Sequence, residues 1–201
     1  MKVKSSSAVK GLRKKGLIRS ADLAGLGIRR ESLSRLHREG HLERLGRGLY
    51  AHPDRKVSLH HSLAEATKKV PKGVVCLLSA LSYHEITTQA PFEVWMALDR
   101  KARLPIPGPG LAFRFHRFSG KALSEGVEQH LIDGIRVRVY SLAKTVADCF
   151  KYRNKIGLDV ALEALREAWR ARRVTSEEMH RYAKTCRVEN VMRPYFEMLV
   201  A

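Results

Sequence analysis

Residues 20–53 have the sequence SADLAGLGIRRESLSRLHREGHLERLGRGLYAHP, in which glycines separate two short helical patterns. Ser20 is a good N-cap for the first helix, because its side-chain oxygen can accept a hydrogen bond from the first turn. Gly27 can adopt the positive φ of a tight turn after that helix. A second helix is expected over residues 30–39, and Gly40 ends it. A helix, a short glycine-containing turn and another helix predict a helix-turn-helix.

The residues that follow Gly40 predict a β-hairpin. Residues 42–45 and 49–51 have the composition of two short strands, and Gly46-Arg47-Gly48 joins them. A hairpin directly after the second helix is typical of a winged helix-turn-helix. Pro53-Asp54 closes this unit, so we expect a domain boundary near residue 55.

The second domain, expected over residues 56–201 after a first domain of residues 1–55, has the element order of an α+β fold. Asp133-Gly134 is a strong signal for a two-residue turn between two strands, and the chain is predicted to be helical after Ser141. The fold class is therefore α+β: an N-terminal winged helix-turn-helix, then a larger α+β domain with a small antiparallel sheet and a helical C-terminal half. The predicted elements are helices over 58–70 and 80–84, the latter capped by Ser79, strands over 92–98, 112–118, 127–132 and 135–140, and helices over 142–152, 158–172, 176–186 and 192–200.

The charge balance is the unusual feature of the composition. The chain has 38 Lys and Arg against 20 Asp and Glu, a formal net charge of +18. Residues 1–56 hold fifteen of the basic and five of the acidic groups, a local net charge of +10. Such a surface attracts polyanions, so nucleic acid is the first partner to consider. An anionic membrane is the second interpretation, and an ordinary solvated surface is the third.

Export and membrane signals are not evident in the sequence. No apolar run approaches the roughly 20 residues that a membrane-spanning helix needs. The basic N-terminus lacks the apolar stretch of a signal peptide. The three cysteines, Cys76, Cys149 and Cys186, are far apart and odd in number, which argues against a disulfide framework. We therefore expect a cytoplasmic protein without a membrane partner.

The second helix of the helix-turn-helix predicts a face for double-stranded DNA. If Leu33 and Leu36 are buried, the 100° step of a helix turns Ser34, Arg35 and Arg38 outward. Arginine and serine on such a face can contact base edges or phosphates in the major groove. The alternative for each arginine is a solvated helix face. Two further candidates stand at the helix start, where backbone N–H groups favour phosphate: Arg29 and Arg30.

The hairpin and the N-terminal segment supply the other candidate DNA contacts. Arg47 lies between two glycines at the hairpin tip, where it can reach a phosphate or a narrow minor groove, and Arg44 precedes it. The alternative for both is a solubilising charge on an exposed turn. Lys14 and Lys15 are expected to contact phosphates.

Catalytic patterns are weak. Asp99-Arg100-Lys101 matches the acid-x-Lys part of a nuclease site, but Glu93 is the nearest upstream acid and is too close in sequence to complete it. The histidines lack metal-ligand spacing, and Cys76 is expected in the core. Neither a phosphate-binding glycine loop nor a Ser/His/Asp signature is present. We therefore predict a protein that is not an enzyme and needs no cofactor or metal.

The sequence resembles the AbiEi family of antitoxins, from type IV toxin–antitoxin systems related to abortive phage infection. Residues 20–53 carry part of the resemblance. Two further stretches make it more specific: LLSALSYHEITTQAP, residues 77–91, and IDGIRVRVYSLAKTVADCFKYRNKIG, residues 132–157. Together they touch most of the chain from about residue 20 to residue 165, and the last thirty or so residues match least.

The resemblance implies an N-terminal domain that binds operator DNA and represses its own operon. It also implies a C-terminal domain that counteracts a cognate nucleotidyltransferase-like toxin, with which type IV antitoxins need not form a stable complex. The family has no catalytic residues to carry over. Asp148, a charge on an otherwise apolar helix, is expected to cap or to form a salt bridge.

Two other functions compete with this interpretation. One is a stand-alone winged-helix regulator whose second domain senses a ligand or another protein. The other is a nuclease that uses the winged domain for targeting, with Asp99 in its site. A nucleotidyltransferase-like gene beside this one would argue against the first, and metal-dependent DNA cleavage would support the second.

Overall fold

The computed structural model describes residues 17–19, 31–46, 48–53, 58–106 and 110–200. The described residues divide into two compact units. The first unit consists of the described residues up to Pro71, together with the described parts of Pro105–Leu111 and His130–Val137. The second unit consists of the other described residues. The first predicted helix, which begins near Ser20, lies outside the described residues.

The described part of the first unit contains a three-stranded antiparallel sheet and two helices. Its elements are β1 (Leu17–Arg19), α1 (Glu31–Arg38), β2 (Glu43–Gly46), β3 (Leu49–Ala51) and α2 (His61–Lys69), with the strands in the order β1-β3-β2. Strand β1 was not predicted, because three residues are too few to show an alternating pattern. The predicted hairpin is confirmed as β2 and β3.

The second unit combines a five-stranded sheet with a helical C-terminal half. The strands, in the order β6-β5-β4-β8-β7, are β4 (Val74–Val75), β5 (Val94–Asp99), β6 (Phe113–Phe118), β7 (Val127–Ile132) and β8 (Ile135–Tyr140). The helices are α3 (Leu77–Tyr83), α4 (Lys121–Ser124), α5 (Leu142–Lys151), α6 (Arg153–Ile156), α7 (Leu158–Arg170), α8 (Ser176–Cys186) and α9 (Glu189–Val200). The α+β class and the helical C-terminal half are confirmed.

The five-stranded sheet is mixed rather than antiparallel throughout. Strand β4 runs antiparallel to β5 but parallel to β8, and β5 runs parallel to β6. The predicted turn between β7 and β8 is present, and both Asp133 (φ 49°) and Gly134 (φ 75°) have the positive φ of a type I′ hairpin turn. The small antiparallel sheet of this protein is the one in the first unit.

Ser79 does not cap a helix, which corrects the sequence prediction. Helix α3 begins at Leu77, three residues before the predicted start, and follows the extended residue Cys76. The Ser79 hydroxyl oxygen instead accepts a hydrogen bond from the Trp95 backbone N–H at 2.9 Å. A serine inside a helix is tolerated when its side chain is hydrogen-bonded to a neighbouring strand, because the side chain then does not compete for the hydrogen bonds of the helix backbone.

Helix α5 is the centre of the second unit. Every residue from Leu142 to Phe150 is buried, so the helix is enclosed on all sides. Ser141 begins it by accepting a hydrogen bond from the Lys144 backbone N–H. Apolar residues of the sheet and of helices α7, α8 and α9 belong to the same core cluster as those of α5. A fully enclosed helix is unusual in a small domain, and polar groups on it must be paired inside the protein.

Lys144 and Asp148 are that pair, one turn apart on α5. The Lys144 ammonium donates hydrogen bonds to both carboxylate oxygens of Asp148, at 2.7 and 2.6 Å. The same Nζ lies 4.2 Å from the centre of the Tyr140 ring, and the Cys186 thiol donates to Asp148 Oδ1 at 3.2 Å. The expected salt bridge of Asp148 is confirmed, but at full burial. Burial raises the pKa of Asp148, while the charge and hydrogen bonds of Lys144 oppose that rise.

Removing one partner of this pair is expected to destabilise the protein far more than removing both. Asp148→Ala leaves a buried ammonium without a counter-charge and should lower the free energy of unfolding by about 3–5 kcal/mol. The double variant Lys144→Met/Asp148→Leu replaces both charges with apolar groups of similar volume and should be close to wild type. Urea unfolding of the full chain measures both. A double variant as unstable as Asp148→Ala would contradict this account of the pair.

His116 is a second buried titratable group of this unit. Its ring stacks on Trp95, with centroids 5.0 Å apart, and meets the Tyr152 ring edge to face. Its Nε2 atom has no hydrogen-bond partner among the described residues. Burial, together with the positive charges of Lys155 and Arg114, lowers the pKa of His116 from 6.5 to about 4. The ring is therefore neutral in the folded protein at physiological pH.

This lowered pKa makes stability depend on pH. In the unfolded chain, His116 becomes protonated below about pH 6.5. In the folded chain it becomes protonated only near pH 4. The free energy of unfolding should thus fall by up to about 3 kcal/mol between pH 7 and pH 4 from this group alone. His116→Phe keeps an aromatic ring against Trp95 and should show a correspondingly smaller fall. Urea unfolding at the two pH values tests this, and equal falls in both proteins would contradict it.

Candidate nucleic-acid interface

Helix α1 is held by an apolar cluster on one side. Leu33 and Leu36 are 2% and 4% exposed and pack in a cluster with Ile18, Leu42 and Tyr50. These residues come from the helix, from strands β1 and β3, and from the residue before β2. The cluster therefore fixes which way the helix faces, as the spacing of the two leucines predicted.

The opposite side of α1 is exposed and basic. Ser34, Arg35 and Arg38 are all exposed, as the helical spacing predicted. Arg35 Nε lies 3.8 Å from Glu39 Oε1, and both side chains are about half exposed, so this ion pair contributes little. Among the described residues, Arg38 has no ion-pair partner. Both guanidinium groups are thus available to an anion in solvent.

The end of α1 is a tight turn into the hairpin. Gly40 has φ 74°, a conformation that side-chain-bearing residues rarely adopt. The backbone N–H groups of His41 and Leu42 both donate to the Leu36 carbonyl, at 2.9 and 3.2 Å. These two hydrogen bonds restrict the backbone conformation of the turn. The hairpin therefore follows the helix directly.

The hairpin is anchored by its middle strand. Strand β3 pairs antiparallel with β1 on one side and with β2 on the other, and its residues Leu49, Tyr50 and Ala51 are buried. The register between β2 and β3 shifts between Arg44 and Gly46, which marks a bulge near the tip. Arg44 is exposed on β2, opposite Tyr50.

Four of the predicted contact residues can be placed, and five cannot. Ser34, Arg35, Arg38 and Arg44 lie exposed on α1 and on the strand that follows it. The others lie outside the described residues: Lys14, Lys15, Arg29, Arg30 and Arg47. His37 and His41 are also exposed and were not among the predicted contacts. Their positions on the helix and at the turn after it were the features of the sequence that could have indicated them.

The first unit also includes the tip of the β7–β8 hairpin, which the sequence had assigned to the second domain. His61 of α2 and Asp133 of the turn form an ion pair if the imidazole is protonated, with Nδ1 and Oδ2 2.6 Å apart. Both side chains are largely buried. From the sequence, Asp133 was predicted only as a turn residue, because a contact between residues 72 positions apart leaves no local pattern.

Glu93 and Asp99, the two acids considered for a nuclease site, do not lie close together. Glu93 precedes β5 and pairs with Arg114 at 2.7 Å, whereas Asp99 ends that strand and accepts from the Lys101 backbone N–H. Five residues of strand lie between them, so their Cα atoms are about 20 Å apart. Within the described part of the chain, no group of three or more His, Cys, Asp or Glu side chains could hold a metal ion.

The family model that matches the chain covers residues of the first unit. Residues 12–53 match the family described as "Transcriptional regulator, AbiEi antitoxin". The resemblance to AbiEi regulators is confirmed for these residues. The match contains α1 and both strands of the hairpin, and it indicates an N-terminal helix-turn-helix.

The comparison with solved structures extends over both units. The chain is similar to the crystal structure of the RV2827C protein from Mycobacterium tuberculosis, with a TM-score of 0.61 and 13% sequence identity. The similarity covers 92% of this chain and 72% of that one. At this identity the similarity concerns the fold alone. No curated protein matches the sequence, and no described helix is long and apolar enough to cross a membrane.

Proposed function

We propose that this protein is a sequence-specific DNA-binding repressor of its own operon and the antitoxin of a type IV toxin–antitoxin system. The observation that carries the proposal is the exposed arginine face of α1, set on an apolar cluster and followed directly by a hairpin, within residues that match AbiEi regulators. Its partners are operator DNA and, for the antitoxin role, a nucleotidyltransferase-like toxin. Both roles belong in the cytoplasm, and neither needs a catalytic residue.

The dimensions of α1 suit a recognition helix. An α-helix with its side chains is about 10–12 Å in diameter, which fits the major groove of B-DNA, and the eight residues of α1 provide about two turns to lie in it. Arg35 and Arg38 are three positions apart, so they are neighbours on the helix surface. One can therefore reach a guanine edge while the other contacts a phosphate, with Ser34 beside them as a second polar contact.

The hairpin has the position of a wing. Arg44 on β2 would contact the DNA backbone beside the groove that α1 enters, and Arg47 at the tip would reach a phosphate or the minor groove. Arg29, Arg30, Lys14 and Lys15 would add phosphate contacts. Together these groups explain why so much of the positive charge lies in the first quarter of the chain.

Loss of the α1 arginines is expected to weaken binding to the upstream region of the protein's own gene. Arg35→Ala should weaken binding by about 1–3 kcal/mol and relax the sequence preference, because a base contact is lost. Arg35→Ala/Arg38→Ala should also reduce the slope of log K against log salt, by about 0.9 for each phosphate contact removed. Fluorescence anisotropy with a labelled duplex over a salt series measures both quantities.

The matched control is Arg166→Ala/Arg170→Ala on α7, which removes the same charge from exposed positions of the second unit. It should leave affinity and salt slope close to wild type. Equal losses in the two double variants would mean that only total charge matters, and the assignment of α1 as a reading helix would be abandoned.

Repression and antitoxicity are expected to be separable. Expressed from an independent promoter, Arg35→Ala/Arg38→Ala should still protect cells from the toxin encoded beside the gene, because the altered residues lie only in the DNA-binding face. The same variant should fail to repress a reporter under its own upstream region. Growth and reporter activity are the two measurements. A variant that represses normally but no longer protects would contradict this division of roles.

A further inference from the structure

A cavity of about 460 Å³ opens in the second unit, and none of its lining residues belongs to the proposed DNA-binding face. Three segments meet there: residues 117–122 from the end of β6 onward, residues 148–152 at the end of α5, and residues 184–187 at the end of α8. Its volume lies within the range of small-molecule sites, about 300–1,000 Å³.

The rim of the cavity is cationic and unpaired. Lys121, Lys151, Lys184 and Arg187 all line it and are all exposed. None of these side chains has an ion pair or a hydrogen bond with another described residue. Four positive charges around one opening repel one another, and a multiply charged anion is the ligand that would relieve that repulsion.

Among the described residues that line the cavity, the one acid does not neutralise this rim. The Asp148 carboxylate accepts two hydrogen bonds from Lys144 and one from Cys186, so its charge is already balanced inside the protein. Part of the remaining lining forms an aromatic wall, from Phe118 and Tyr152, whose rings stack on each other with centroids 5.4 Å apart. A cationic rim and an aromatic wall suit an anion that carries an organic group.

Arg187 stands at a position where the backbone favours glycine. It is the C-cap of α8 and has the left-handed conformation, with φ 59° and ψ 44°. Glycine adopts this conformation without strain and is the usual residue at such a helix end. The backbone gives no preference for arginine there, and the Arg187 side chain lines the cavity.

We propose that this cavity binds a small organic phosphate, with Lys121, Lys151, Lys184 and Arg187 around the phosphate and the aromatic wall against the organic group. Lysine and arginine are the side chains that bind phosphate groups, and a phosphate monoester carries the multiple charge that the rim requires. Such a group comes either from a free nucleotide or from the 5′-phosphate end of a nucleic-acid strand. The site is independent of the proposed DNA-binding face, so either proposal can fail alone.

Isothermal titration calorimetry of the full chain tests the proposal, with AMP, adenosine and inorganic phosphate as probes. AMP should bind and adenosine should not, because the phosphate provides the main contact. Inorganic phosphate should bind more weakly than AMP. Lys151→Gln/Lys184→Gln should bind AMP at least about tenfold more weakly, since two charge-assisted hydrogen bonds are lost.

The matched control is Lys155→Gln/Arg166→Gln, which removes two exposed charges of the same unit outside the cavity. It should keep AMP affinity within about twofold of wild type, because surface charges at a distance are screened. All substitutions are at exposed positions, and thermal unfolding checks that each variant is folded.

Two tetranucleotides of single-stranded DNA, one with a 5′-phosphate and one with a 5′-hydroxyl, distinguish the sources of the phosphate. Tighter binding of the phosphorylated strand than of AMP, without binding of the hydroxyl form, would assign the site to strand ends. Tighter binding of AMP would assign it to free nucleotides.

Three outcomes would overturn the proposal. One is that AMP does not bind at millimolar concentration in low salt. The second is that the control variant loses as much affinity as Lys151→Gln/Lys184→Gln. The third is that Lys151→Gln/Lys184→Gln weakens binding of the upstream duplex as much as Arg35→Ala/Arg38→Ala does, which would make the rim part of the DNA-binding surface.

Discussion

The buried ion pair between Lys144 and Asp148 is the constraint on which the second unit depends. Two opposite charges on adjacent turns of an enclosed helix must remain together, because neither can reach water. The Tyr140 ring lies against the ammonium, and the Cys186 thiol donates to the carboxylate. The sheet and α8 are thereby tied to α5. Gly126 completes the enclosure, since a Cβ there would lie 2.8 Å from Lys144 Cβ.

The same environment makes the three cysteines inert. Cys76, Cys149 and Cys186 are buried and carry no disulfide. Burial is the largest cause that raises the pKa of each thiol, and the negative charge of Asp148 raises it further. A thiol with a raised pKa stays protonated and is a poor nucleophile. The cysteines are therefore packing residues, as the sequence predicted for Cys76.

Elements with a regular local pattern could be predicted from the sequence. Helix α8 has the predicted bounds, because Thr175 and Glu178 form a capping box at its start. The Asp133-Gly134 turn and the leucine spacing of α1 were equally informative. Contacts between distant segments could not be predicted. The role of Ser79 depends on a strand sixteen residues away, and the cavity brings together three segments that share no motif.

The candidate DNA-binding face was predictable because it is local. Its exposed residues and its buried leucines belong to one helix, so a 3.6-residue period is enough to separate them. A single sequence does not show which arginine contacts a base, because that contact depends on the sequence of the bound DNA. The charge of the second unit was also visible in the composition, but only the fold shows that part of it surrounds one cavity.

The central claim is that the first unit binds a specific DNA sequence rather than DNA in general. The most direct test is the ratio of dissociation constants of the wild-type chain for a duplex of its own upstream region and for a scrambled duplex of the same composition, at physiological salt. The account predicts a preference of about 10³-fold or more for the upstream duplex. Equal affinity for the two duplexes would contradict it.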